Sequence, residues 1–170
     1  MNIRNFEFKA RTNDLQGLEK SFLGLNPVLK GIDCQTDTYF NVSNGRLKLR
    51  EGNIENSLIF YKRTDISGSK QADIILYRNP DNSIKEILTV SLGIKAVVNK
   101  IRKIYFIDNV KFHFDTVEGL GTFIEVEAID EYGDRNINEL KEQCEKYFAF
   151  FGLKASDYES RSYSDLILDM

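Results

Sequence analysis

Glu7, in the run Asn5-Phe6-Glu7-Phe8-Lys9-Ala10-Arg11, and Glu125 with Glu127, in Phe123-Ile124-Glu125-Val126-Glu127, stand in stretches where apolar and charged residues alternate. That is the period of a strand with one apolar face. Glu7, Lys9 and Arg11 then share a face, opposite Phe6, Phe8 and Ala10. Arg46, Lys48 and Arg50 share another, opposite Leu47 and Leu49. Lys100 and Arg102 oppose Ile101, with Val98 continuing their face, and Glu125 and Glu127 oppose Ile124, Val126 and Ala128. A solvated sheet face normally mixes signs. Here cations gather on some segments and carboxylates on another. Such sorting suits a polyanion held with divalent cations: Lys and Arg against phosphate oxygens, hard carboxylate oxygens against the metal.

The remaining segments have to position these side chains. Asp14 reads as the N-cap of a helix carrying Leu15, Leu18, Phe22 and Leu25, ended by Asn26-Pro27. A hairpin runs from Cys34 through Asp37-Thr38-Tyr39-Phe40, turns at Asn44-Gly45 and returns over 46–50. Strands follow over 58–63 and, after a loop at 68–71, over 72–77. Asn79-Pro80-Asp81-Asn82 opens a short helix with Ile84, Ile87, Leu88 and Leu92, stopped at Gly93. Strands over 96–106 and 110–117 pair across Asp108-Asn109, and Gly119-Leu120-Gly121 leads into the strand of paired glutamates. Ile137, Leu140, Cys144, Tyr147, Phe148 and Phe151 form the apolar stripe of the longest helix, ended at Gly152. Many strands in hairpin order with short helices between them predict an antiparallel sheet that closes or nearly closes, its polar face inward.

Composition narrows the function classes. With 170 residues, 42% hydrophobic and 29% charged, the chain is expected to form one globular domain. A net charge of −3 argues against a general binder of nucleic acid or membrane surfaces. No stretch approaches a membrane span. Cys34 and Cys144 are far apart and in no metal-ligand spacing, and are read as buried thiols of a cytoplasmic protein. The antiparallel edges and the aromatic helix leave a homodimer open.

The ordered series Asn5-x-Glu7-x-Lys9-Ala10-Arg11, Asp37-Thr38-Tyr39-Phe40, Gly45-Arg46-Leu47-Lys48-Leu49-Arg50, Tyr61-Lys62-Arg63, Lys100-x-Arg102, Asp115 with Val117-Glu118-Gly119-Leu120-Gly121, Glu125-x-Glu127 and Ser162-Tyr163-Ser164-Asp165-Leu166 covers nearly the whole chain. It resembles the CYTH proteins, or triphosphate tunnel metalloenzymes, and most of all those described as class IV adenylate cyclases; thiamine triphosphatases belong to the same group. The resemblance implies an α+β fold over residues 1–170: a closed or nearly closed eight-stranded antiparallel barrel, flanked by helices, whose lumen binds a triphosphate such as ATP, tripolyphosphate or thiamine triphosphate. It implies Mg²⁺ or Mn²⁺ held by Glu7, Glu125 and Glu127, with Asn5 beside them. It makes Lys9, Lys48, Arg50, Lys62 or Arg63, Lys100 and Arg102 the phosphate clamp, completed by Arg161. Asp115 would orient a lumen cation or a metal-bound water, and Glu7, Lys9 and Lys62 would be closest to the chemistry. The reaction would be conversion of ATP to cyclic AMP and pyrophosphate, or hydrolysis of a triphosphate. A binding module without turnover is the alternative. It is prompted by Asn5, which stands where the family signature Glu-x-Glu-x-Lys has its first Glu: a neutral oxygen donor adds no charge.

Three residues keep two readings. Arg46 points into the lumen or into solvent. His113, the single histidine, shares a face with Lys111 and Asp115 and is a structural histidine or a lumen group. Tyr39 packs in the core or stacks on a base. Of Lys62 and its neighbours, strand parity lets only one set face inward, and Lys62 is the favoured member.

Overall fold

Eight strands alternate with helices along the chain: β1 (Asn2–Arg11), α1 (Leu15–Leu23), β2 (Val28–Phe40), β3 (Arg46–Glu51), β4 (Ser57–Arg63), β5 (Lys70–Arg78), α2 (Ser83–Leu92), β6 (Ile94–Ile107), β7 (Val110–Val117), β8 (Gly121–Asp130), α3 (Ile137–Phe150) and α4 (Tyr163–Leu168). The computed structural model describes residues 2–63 and 68–170, the side chains of Asn2 and Arg63 excepted. The strands form a closed barrel in the order β1-β5-β4-β3-β2-β6-β7-β8, every pair antiparallel. Closure gives each strand two neighbours, though β2 and β6 run on beyond β3 and β7, so that residues 28–35 of β2 and the start of β6 are paired on one side only.

Alternation decides what faces where. Phe8, Ala10, Phe112, Phe114, Ile124, Val126 and Ala128 point outward from β1, β7 and β8 and are buried against Phe22 of α1 and Leu140, Cys144 and Tyr147 of α3. Phe112 meets Tyr147 edge-on at 4.7 Å between ring centroids. The aromatic stripe of α3 is therefore core. Inside the barrel, at one end, Tyr39, Ala96, Val98, Val117 and Phe123 pack on Tyr163 and Leu166 of α4. Ser162 caps this short helix, its Oγ accepting from the Asp165 amide.

The expected elements are all present, and several boundaries differ: α1 ends at Leu23, short of Leu25, and β6 begins at Ile94. β2 begins at Val28 rather than Cys34. Its inward residues Asp33 and Gln35 are polar, and a register shift falls between Leu29 and Gly31; polar residues next to a glycine read as a loop in sequence. β5 begins at Lys70, inside the expected loop. Asn44-Gly45 does end the β2–β3 connection: Gly45 has φ 68°, and a Cβ there would lie 2.8 Å from the Phe60 ring and from the Tyr61 carbonyl oxygen. Cys144 is buried but Cys34 is exposed, because it lies on the outward parity of β2; both are free thiols.

Candidate functional site

The inward-facing side chains enclose a cavity of about 360 Å³ inside the barrel. It is bounded at one end by Ser162 and Tyr163 and reaches the exposed Lys30 and Arg78 at the other. Its wall has two arcs. Asn5, Glu7, Lys9, Lys48, Arg50, Lys100, Arg102, Lys111, Glu125 and Glu127 make a charged arc on β1, β3, β6, β7 and β8, whereas β4 and β5 contribute Ile59, Tyr61, Ala72, Ile74 and Leu76.

The carboxylates gather where β1, β8 and β7 run side by side. Glu7 is paired in register with Glu127, and Glu127 in turn with Lys111. Burial pushes the Glu127 carboxyl up to about 8, and the neighbouring charges of Glu125 and Glu7 push the same way. The Glu125 carboxyl is also buried, but the Arg102 guanidinium and His113 hold it well below the usual carboxylate range. His113 Nδ1 lies 3.0 Å from Glu125 Oε1 and 3.8 Å from Glu127 Oε1. Burial, with the charges of Arg102 and Lys111, brings His113 down to about 3. The imidazole is therefore neutral, Nδ1–H donates to Glu125, and Nε2 is left buried without a partner. Asn5 Nδ2 donates to Glu7 Oε2 at 3.3 Å, while the buried Asn5 Oδ1 has no partner. The orphaned Asn5 Oδ1 beside clustered buried carboxylates is a donor arrangement that suits a divalent cation. The expected ligands Glu7, Glu125, Glu127 and Asn5 all line the cavity, and among the described residues the ligand atoms of Glu125 and Glu127 come within 4.8 Å of one another and of the His113 ring.

The basic arc is organised by acids to which sequence reasoning assigned no role. Asp37, on the inward parity of β2, accepts from Arg50 Nε and Nη2 at 2.9 Å each, from Lys100 Nζ at 2.7 Å and from Lys48 Nζ at 3.2 Å. Burial disfavours its charge, yet these cations hold its carboxyl well below the ordinary range. Burial lowers Lys100 to about 7 against the pull of Asp37, assisted by the charges of Arg50 and Arg102. Glu55, just before β4, bridges Arg50 Nη1 at 3.2 Å and Lys111. Lys48 Nζ also lies 5.5 Å from the Tyr39 ring centroid and 5.7 Å from that of Tyr61. The signal for Asp37 was available: it alternates with Tyr39 on one face and its strand pairs with the basic strand. An acid inside a basic lumen, however, runs against a search by sign.

Asp115 sits where an orienting group was expected. It receives Arg102 through Nε at 2.7 Å and Nη2 at 2.6 Å, and the Tyr163 hydroxyl at 2.7 Å. It thus fixes the Arg102 guanidinium and ties α4 to the barrel.

Other expectations need correction. Lys62 is exposed and does not line the cavity, because the inward parity of β4 belongs to Ser57, Ile59 and Tyr61. The side chain of Arg63 lies outside the described residues. Arg161 does not enter the lumen: its guanidinium pairs with Asp169 at 2.7 Å and Glu159 at 3.5 Å outside it. What the segment before α4 supplies instead is backbone, since Lys9 Nζ donates to the Arg161 carbonyl and Lys70 Nζ to the Ser160 carbonyl. Arg46 reaches neither lumen nor bulk solvent; it grips Asp165 of α4 at 2.8 Å. Tyr39 belongs to the core at the closed end and also lines the cavity. His113 is a lumen-side group in contact with a carboxylate, with one nitrogen unsatisfied.

Among the described residues, no helix is long and apolar enough to cross a membrane. Comparison with known proteins agrees with the geometry. An adenylate cyclase, CyaB of Aeromonas hydrophila, is 23% identical over 171 residues, spanning 94% of this chain and 86% of that protein. The PH1012 protein of Pyrococcus horikoshii superposes with a TM-score of 0.79 at 26% identity, over 95% of this chain and 98% of that one. A Hippeastrum protein described as having a dominant triphosphatase activity shares the fold, with a TM-score of 0.63 at 13% identity, over 99% of this chain and 94% of that one. The CYTH domain profile matches residues 4–163, and with the closed barrel and sorted charges already in view, the chain belongs to the CYTH domain family.

Proposed function

We propose that this protein is a divalent-cation-dependent enzyme that cleaves a phosphoanhydride bond of a triphosphate held in its lumen. One observation carries the reading: carboxylates and cations face each other across a single buried cavity. Lys9, Lys48, Arg50, Lys100, Arg102 and Lys111 bind and orient the phosphate oxygens, and in a lumen with little water each pairs more strongly than on a surface. Glu7, Glu125 and Glu127, with Asn5, would hold Mg²⁺ or Mn²⁺, which neutralises phosphate charge and polarises the scissile bond when bound. Lys9, over the Tyr163 ring at 4.3 Å, anchors phosphate at the closed end. The apolar arc of β4 and β5 suits an organic substituent nearer the open end. Phosphoryl chemistry asks chiefly for positioning and charge. Two outcomes share this bound state: attack by a ribose 3′-oxygen on the α-phosphorus, expelling pyrophosphate, as an adenylate cyclase would require, and attack by water on the terminal phosphorus, releasing orthophosphate.

The free thiols fit a reducing cytoplasm. ³¹P NMR of ATP and of tripolyphosphate, each with Mg²⁺ or Mn²⁺, is the test, with a Glu125→Ala, Glu127→Ala control. Cation-dependent pyrophosphate or orthophosphate that the control abolishes is expected. Tight binding with no product from any triphosphate would overturn the enzyme reading in favour of a binding module, which the neutral Asn5 favours. Asn5→Glu separates the two, since only a weakened enzyme gains turnover.

A further inference from the structure

We infer that the cation site is of mixed nitrogen and oxygen character: His113 Nδ1 coordinates the ion with Glu125 and Glu127, and the site therefore prefers Mn²⁺ or Co²⁺ to Mg²⁺. This rests on the cation-dependent reading above and extends it to the identity of the metal. Nδ1 of His113 and one oxygen from each of Glu125 and Glu127 lie within 4.8 Å of one another. Nδ1 lies 3.0 Å from Glu125 Oε1 and 3.8 Å from Glu127 Oε1, at or a little above the spacing of ligands around a small ion. Bonds of about 2.1 Å place adjacent ligands of an octahedron about 3 Å apart.

One unsatisfied atom points the same way. Asn5 is buried, lines the cavity, and its Oδ1 has no partner. It would be a fourth, neutral donor. Turning Nδ1 to a metal moves the ring proton to Nε2 and frees Glu125 Oε1 from its hydrogen bond. Asn5 and His113 are both neutral, so the site gathers less negative charge than an all-carboxylate one and replaces a hard oxygen with an imidazole. Mg²⁺ binds chiefly through charge on oxygen, whereas imidazole favours first-row transition ions.

The chain has a single histidine, so in untagged protein any imidazole coupling to a bound ion reports His113. The experiment is ¹⁴N electron spin-echo envelope modulation of Mn²⁺-loaded protein, with and without tripolyphosphate. It is combined with calorimetric titration of Mn²⁺, Co²⁺ and Mg²⁺ into wild type, His113→Gln and His113→Asn, each first checked for native circular dichroism. Imidazole nitrogen modulation is expected in wild type and absent in either variant, along with a fall of about 10-fold or more in the Co²⁺ to Mg²⁺ affinity ratio. Bound Mn²⁺ without nitrogen modulation, and a ratio unchanged in a folded variant, would overturn the inference while leaving the cation-dependent reading standing. Failure of every cation to bind, even with tripolyphosphate, overturns both.

Discussion

Lys100 Nζ and Asp37 Oδ2 lie 2.7 Å apart on neighbouring strands, and the same carboxylate also receives Arg50 and Lys48. Asp37 therefore occupies, among the clamp cations, the place of one anionic oxygen. Asp37→Asn is expected to raise metal-free affinity for tripolyphosphate by about 10-fold, because three cations lose their internal competitor. The same change costs about 3 kcal/mol of stability without ligand, since it leaves buried charge uncompensated. Calorimetry and urea melts read the two effects, and the prediction fails if both affinity and stability fall.

Lys100 titrates near 7. Only its protonated form attracts phosphate, so metal-free tripolyphosphate affinity should decline as pH rises from 7 to 9, by up to about 10-fold per unit from this group. Lys100→Met should bind more weakly at pH 7 and show a flatter profile over that range. An equally steep decline in the variant would assign the titration elsewhere.

Glu127 is held near 8 by burial and by its acidic neighbours. At pH 7 it carries a proton that a cation must expel, so cation affinity should rise with pH up to about 8 and level off above it. Titration at pH 7 in buffers of different ionisation enthalpy should show close to one proton released per cation in wild type and almost none in Glu127→Gln. No release from wild type would contradict the shared-carboxylate arrangement.

Parity separates neighbouring cations. Lys62→Ala and Arg161→Ala should keep turnover within about twofold and stability within about 0.5 kcal/mol, as exposed positions do. Arg50→Ala or Arg102→Ala should each lower kcat/KM by at least about 100-fold. Steady-state assays on the substrate that proves active decide this, and a Lys62→Ala defect comparable to Arg50→Ala would contradict the inward parity of Tyr61.

Much of this was legible because a barrel strand advertises its two faces. Glu7, Lys9, Lys48, Arg50, Lys100, Arg102, Glu125 and Glu127 all line the cavity, as alternation required. Where the reading failed, the decisive fact was not periodic. Tyr61-Lys62-Arg63 supplies cations on both parities, so only the strand register distinguishes them. Arg161 was placed by proximity to a motif, but the chain there turns into a capped helix and presents carbonyls to the lumen. Asp37, quoted only within a motif, and Glu55 were given no role because a buried basic surface must be neutralised from within. That need becomes visible only when strands distant in sequence are brought together.

β1 pairs with both β5 and β8, setting Glu7 beside Glu127 across 120 positions of sequence. A growing chain therefore makes the first half of its site early and must keep that strand waiting until β8 has been synthesised. Until then, Phe6 and Phe8 have no covering helix, and the hydrogen-bonding groups on one side of the strand have no permanent partner. Such long-range closure is the slow, aggregation-exposed kind of folding step. Yield in cells should accordingly respond more to chaperone supply and growth temperature than the thermal stability of the finished barrel would indicate.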